Sequence, residues 1–287
     1  MTMETQLQFN KVFLIQSLRD SERQTGERLV EQTLKPQLEA MKLGLAYYKV
    51  ATRADFFGAL DHVWEQCARE SPRTYPILHL DTHGSADKSG IATLPSGEVV
   101  KWHEFARRCR GINVECHNNL LIVGALCFGL LAITEINMRE PAPFLAVIGP
   151  EETVTVGEID GGFGPFYEAL FKTGSLDSAM EKLSKKFGLF LADRLFANAF
   201  AGYIKQECKG AGRKERIDRL LAKFMESEAA HRITEAEARR IAEDYTLPNK
   251  QAFERFKSKF LMSDHPLNAD RFPVAFDDVL NAADRSA

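Results

Sequence analysis

Two residues stand where a thiol and an imidazole can share a proton. His83 follows an apolar run, Tyr75 to Thr82 (YPILHLDT), and precedes Gly84; Cys127 follows another, Asn119 to Leu126 (NLLIVGAL). Both runs read as buried strands, and reactive groups in an open α/β sheet gather at the carboxyl ends of strands. Adjacent strands lie about 4.8 Å apart, so side chains leaving neighbouring ends on one edge can meet. A thiolate beside an imidazole attacks a peptide carbonyl, and the imidazole protonates the departing amine. The backbone N–H groups of Gly84 and Cys127 are the candidate oxyanion donors, and a glycine lets a substrate carbonyl approach the backbone closely. After Cys127 the sequence predicts a helix, Phe128 to Met138, whose unpaired N–H groups and dipole favour a thiolate.

Other candidates carry blander readings beside the chemical ones. His79, Asp81 and His83 share one face of their strand by its period of two. His79 lies deeper in the apolar run and reads as a satisfied core histidine. Asp81 either orients His83, lines a substrate cleft or caps a neighbouring backbone group. Cys109, Cys116, His117 and His103 lie close in sequence, but their spacing matches no zinc-ligand pattern, and no metal is expected. Lys205 to Lys223 is basic, by default a solvated helix face, with an exposed linker at Gly210 to Gly212 as the second reading.

These residues need elements to position them. Lys11 to Leu18 and Gly44 to Val50 read as strands, with a helix from Arg23 to Met41 between them, disturbed at Pro36. Thr52 and Asp55 open a helix whose stripe is Phe56, Phe57, Leu60, Val63, Trp64 and Cys67. Two short strands flank Pro95 to Gly97, a helix runs from Trp102 to Arg110, and Phe144 to Gly149 is a further buried strand. Pro165 to Phe171 and Ser175 to Leu183 read as helices. This alternation implies right-handed crossovers and a mainly parallel sheet covered on both faces. From about residue 185 the pattern becomes helical: Leu189 to Glu207, Lys214 to Met225, Glu235 to Tyr245 and Lys250 to Met262. The expected domains are therefore residues 1–185 and a helical region, 186–287.

Composition limits the classes available. The 287 residues are 45% apolar and 27% charged, as in a soluble globular protein able to bury a core without disulfides or metal. A formal charge of −3 argues against a general nucleic-acid binder. Five scattered cysteines fit a reducing cytoplasm. No apolar stretch is long enough for a membrane span, and Met1 to Asn10 lacks the apolar core of a secretory signal.

An apolar strand ending in His83-Gly84 and a second ending in Cys127, 44 residues on, resemble the clan of caspases, metacaspases, separases and bacterial CHAT proteins. Gly90 to Phe105 (GIATLPSGEVVKWHEF) resembles the strand–turn–strand–helix that follows the histidine in CHAT domains, and Phe166 to Leu183 (FYEALFKTGSLDSAMEKL) resembles their paired later helices. The resemblance covers roughly residues 10–185. It implies a caspase-like three-layer sandwich and a cysteine endopeptidase acting on protein or peptide substrates, with Cys127 as nucleophile, His83 as base and no cofactor. It further implies activation by a protein or small signalling molecule, in bacterial antiviral defence or cell death. Asp160-Gly161-Gly162-Phe163-Gly164 lacks the Lys-Ser/Thr of a P-loop and stands where related peptidases have a flexible loop bordering the cleft, which makes Asp160 a second candidate cleft residue beside Asp81. The sequence also departs from its relatives: caspases usually carry Gln and metacaspases Asp two residues before the nucleophile, where this chain has Ala125. The alternatives are a catalytically silent scaffold of the same fold that binds a ligand or protein, and a doubly wound nucleotide-binding domain. The latter needs a glycine-rich turn after the first strand, and Arg19-Asp20-Ser21-Glu22 has none.

Overall fold

The computed structural model describes residues 7–69, 71, 73–227, 233–268 and 270–285; most of the polar stretch at residues 1–10 lies outside them. In chain order the first elements are β1 (Lys11–Gln16), α1 (Thr25–Leu29), a π-helical turn (Val30–Leu34), α2 (Lys35–Met41), β2 (Gly44–Lys49), α3 (Arg53–Cys67) and β3 (Pro76–Asp81). Three short strands follow, β4 (His83–Gly84), β5 (Gly90–Ala92) and β6 (Val99–Lys101), then α4 (Trp102–Glu115), β7 (Leu121–Ala125), a 3-10 helix (Gly129–Glu135) and β8 (Ala146–Pro150). The chain continues through α5 (Val156–Thr173), α6 (Leu176–Met180), β9 (Phe187–Leu191), α7 (Ala192–Glu207), α8 (Gly210–Met225), α9 (Glu235–Tyr245), α10 (Lys250–Leu261), a second 3-10 turn (Pro266–Asn268) and α11 (Phe276–Arg285).

The protein is an α/β fold built on a six-stranded sheet of order β2-β1-β3-β7-β8-β9, parallel except at β9. Strands β3, β7 and β8 are buried along their whole length, as expected for strands covered on both faces. From β1 the chain crosses outward to β2, then returns past β1 to β3 and continues the other way. Right-handed crossovers therefore put α1 and α2 on one face and α3 and α4 on the other. Helix α5 packs with α1, and α3 packs with α4, as that division requires. The reversal leaves a crevice at the carboxyl ends of β1 and β3, the place where such sheets bind ligands.

Several elements differ from the sequence reading for identifiable reasons. The helix disturbed at Pro36 widens into the π turn just before it, which relieves the crowding between a proline ring and the preceding turn. Leu189 to Leu191, read as helix, lie in β9, where antiparallel pairing with β8 buries Phe190 and Leu191. The expected helix Phe128 to Met138 is a 3-10 helix of seven residues. A Cβ on Gly149 of β8 would lie 3.0 Å from the carbonyl carbon of Gly129, so this segment sits tightly on β8. The Asp160–Gly164 run is not a loop: it lies inside α5, which starts at a Thr155/Glu158 capping box. Its glycines permit close packing, since a Cβ on Gly164 would be 3.3 Å from Thr33 Oγ1 and one on Gly162 would be 3.2 Å from Leu183. Gly210 to Gly212 open α8 rather than forming a linker.

The apolar core crosses residue 185 without a break. Phe196 and Ile204 of α7, Phe253 and Phe260 of α10, and Phe272 join the same cluster as the sheet strands. Buried Arg271 donates to the carbonyls of His117 (3.2 Å) and Asn118 (3.3 Å) and to Asn119 Oδ1 (2.6 Å), just ahead of β7. Helices α8 and α9 form a separate small cluster around Ile217, Leu221, Ala238 and Ala242. Among the described residues no helix is long and apolar enough to cross a membrane.

Candidate functional site

The parallel register of β1, β3 and β7 aligns Gln16 with Asp81 and Asp81 with Ala125. His83 and Cys127 each stand two residues beyond a paired end, on the same edge of the sheet. Both line one cleft of about 280 Å³ with Leu18, Glu22, Asp81 and Val154. The chain after β3 leaves the main sheet at once: His83 pairs with Ala92 and Gly84 with Ile91 in the small β4-β5-β6 sheet. That pairing fixes the backbone carrying the imidazole. A Cβ on Gly84 would collide with the carbonyl oxygen of Cys127 and lie 3.6 Å from its Cβ.

Cys127 is half-buried, whereas Cys67, Cys109, Cys116 and Cys208 are buried. Its thiol donates weakly to the carbonyl of Val154, 3.9 Å away. The next residue, Phe128, has a left-handed backbone (φ 59°), where a bulky side chain is strained. Lys88 lies over its ring, 4.2 Å from the centroid. The chain thus turns sharply out of the strand directly after the sulfur.

A residue the sequence reading left without a role completes the cleft. Glu22, in the loop after β1, accepts a hydrogen bond at Oε1 from His83 Nε2 at 3.1 Å. Its other oxygen accepts from the Arg19 backbone N–H at 2.7 Å, which anchors the carboxylate. No local pattern in the sequence signals this partner; its position next to the β3 end follows only from the order of strands in the sheet.

Asp81 has the capping role among its expected alternatives, and it lines the cleft as well. Only 2% exposed, it accepts from the Thr25 hydroxyl at 2.9 Å and from the Gly26 N–H at 2.5 Å, at the start of α1. Burial pushes its carboxyl up to about 6, although the bonds from Thr25 and Gly26 pull in the opposite direction. Asp160 sits in α5 and is paired with Arg23 and, at 3.1 Å, with Arg28. It lines an adjoining cavity of about 220 Å³ that shares Thr25, Asp81 and Ile159 with the cleft.

No family model matches this sequence, and no curated protein is similar to it.

The remaining candidates do not line the cleft of His83 and Cys127. His79 Nδ1 bonds the Tyr167 hydroxyl at 3.1 Å, and its ring meets Phe163 edge-on at 4.9 Å. Burial pulls the imidazole down to about 3, so it is neutral. Cys109 and Cys116 are in the core, His117 stacks on His265 at 3.8 Å, and His103 is an exposed residue of the first turn of α4.

Proposed function

We propose that the chain is a caspase-like cysteine endopeptidase with Cys127 as nucleophile and His83 as its acid–base partner. The observation that carries this reading is the Asp81–Ala125 register, which brings an imidazole and the one half-buried thiol into a single cleft. The strained Phe128 turn beside the sulfur adds support, since such strain gathers at active sites.

In this reading Glu22 holds Nε2 of His83 and leaves Nδ1 to exchange a proton with the thiol. The Cys127 proton passes to Nδ1, and sulfur bonds to the scissile carbonyl carbon. The N–H groups of Gly84 and Cys127 receive the oxyanion. The C–N bond then breaks as the imidazolium gives its proton to the amine, and water activated by His83 hydrolyses the thioester. The small side chain of Ala125 leaves neither the glutamine of caspases nor the aspartate of metacaspases at that wall.

Exposure of the full chain to a peptide library, with cut sites read by mass spectrometry, tests the proposal. Cleavage by the native chain and none by Cys127→Ala or His83→Ala is the expected result. Equal cleavage by either variant contradicts it, and no cleavage by any form leaves the silent scaffold as the better reading.

A further inference from the structure

We propose that a groove among the C-terminal helices binds a small aromatic anion of the nucleoside-phosphate class. The proposal does not depend on the peptidase reading. The groove encloses about 590 Å³, within the range of small-molecule sites. Its walls come from α7, α8 and α10, from the end of α9 and from the segment at Met138 and Arg139.

Its charge is the first observation. Arg139, Arg216 and Arg255 line it, and no aspartate or glutamate does, although acidic residues outnumber basic ones in the chain, 40 to 37. Among the described residues none of these three guanidinium groups has a carboxylate partner, whereas Arg219 on the same helix as Arg216 is paired with Glu207 at 2.9 Å. The expected solvated basic face, Lys205 to Lys223, therefore does not hold for Arg216, which is half-buried and lines the groove. Three unneutralised arginines around one concavity leave a local field that an anion would relieve, and guanidinium forks match phosphate oxygens in geometry.

The second observation is aromatic. The Arg216 guanidinium lies 5.3 Å from the Tyr203 ring centroid and 5.6 Å from that of Tyr245, and Arg255 lies 5.5 Å from the ring of Phe256. These contacts hold the cation of Arg216 between two rings instead of leaving it to sample solvent. Tyr245 is 67% exposed and Tyr203 38%, so ring surface remains at the mouth of the groove. A flat base can stack there in the way bases stack on aromatic side chains. Phosphate alone would use the arginines and leave the rings idle; an uncharged aromatic would do the reverse. A nucleoside phosphate uses both.

The test is titration of the full chain with four ribonucleoside monophosphates, the matching nucleosides, inorganic phosphate and an oligoglutamate peptide, followed calorimetrically. At least one nucleotide should bind saturably, with its nucleoside and phosphate each weaker by roughly tenfold or more, the scale of one lost charged hydrogen bond. Arg139→Gln and Arg255→Gln, both at exposed positions, should each weaken that nucleotide by about the same factor while melting with the native chain. Failure of all four nucleotides to saturate at millimolar concentration would overturn the proposal. So would binding untouched by either substitution, or phosphate or oligoglutamate binding as tightly as the best nucleotide.

Discussion

Gly84 packs directly against the peptide of Cys127: a methyl group at residue 84 would occupy the space of the Cys127 carbonyl oxygen. The contact ties the end of one strand segment to the turn that carries the sulfur, and it leaves no room for a side chain at residue 84. The neighbouring backbone has little room to yield, because Gly84 is paired in the small sheet and Phe128 already has a left-handed conformation.

Gly84→Ala is therefore expected to displace the Cys127 turn and, in the proposed peptidase, to lower kcat/KM by about two orders of magnitude, the usual result of misplacing a reacting group by an ångström. Kinetics on a peptide substrate, with circular dichroism to verify the fold, checks this. Unchanged turnover would mean that the close approach has no part in catalysis.

In the proposed peptidase Glu22, bonded to His83 Nε2 at 3.1 Å, would act through the imidazole rather than on substrate. Glu22→Ala should reduce kcat by roughly one to two orders of magnitude with KM nearly unchanged, since orientation of the base matters in the transition state and not in substrate binding. Glu22→Gln keeps an acceptor at the same distance and should recover part of the loss. A purely structural role would lower the melting temperature without this division between kcat and KM.

Much of this arrangement could be read from residue types, and the exceptions share a cause. The strands leading to His83 and Cys127 announce themselves because burial on both faces demands continuous apolar runs such as PILHLD and LIVGA. The Thr52/Asp55 capping box is local and stands where the sequence puts it. Glu22 was invisible because its partner is 61 residues away and only the order β1-β3-β7 makes them neighbours. Asp160 to Gly164 read as a loop because glycine disfavours helices, yet the same glycines let α5 approach Thr33 and Leu183. Leu189 to Leu191 read as helix in isolation and are extended, as part of β9, because the edge of β8 offers them hydrogen bonds and a buried face.

Two buried groups on β3 give the fold a pH dependence of opposing signs. Asp81, raised to about 6 in the fold, keeps its proton where the unfolded chain, near 4, has lost it; its contribution to stability therefore falls as pH rises from about 4 to 6. His79, lowered to about 3, stays neutral where the unfolded chain, near 6.5, is protonated; its contribution falls as pH drops from about 6.5 to 3. Between pH 4 and 6 the two oppose each other. In urea denaturation from pH 4 to 8, the stability of the native chain relative to Asp81→Asn should drop by about 1.4 kcal/mol per pH unit up to about pH 6 and level off above it. A difference independent of pH would show that Asp81 does not hold its proton.

The most direct measurement is covalent capture of the sulfur. Peptides carrying a carbonyl electrophile, offered to the folded chain, should add one equivalent by intact mass, mapped to Cys127, because the other four cysteines are buried. His83→Ala should slow the addition strongly, and Cys127→Ala should abolish it. Modification that proceeds equally well without the imidazole, or that maps to another cysteine, would contradict the account.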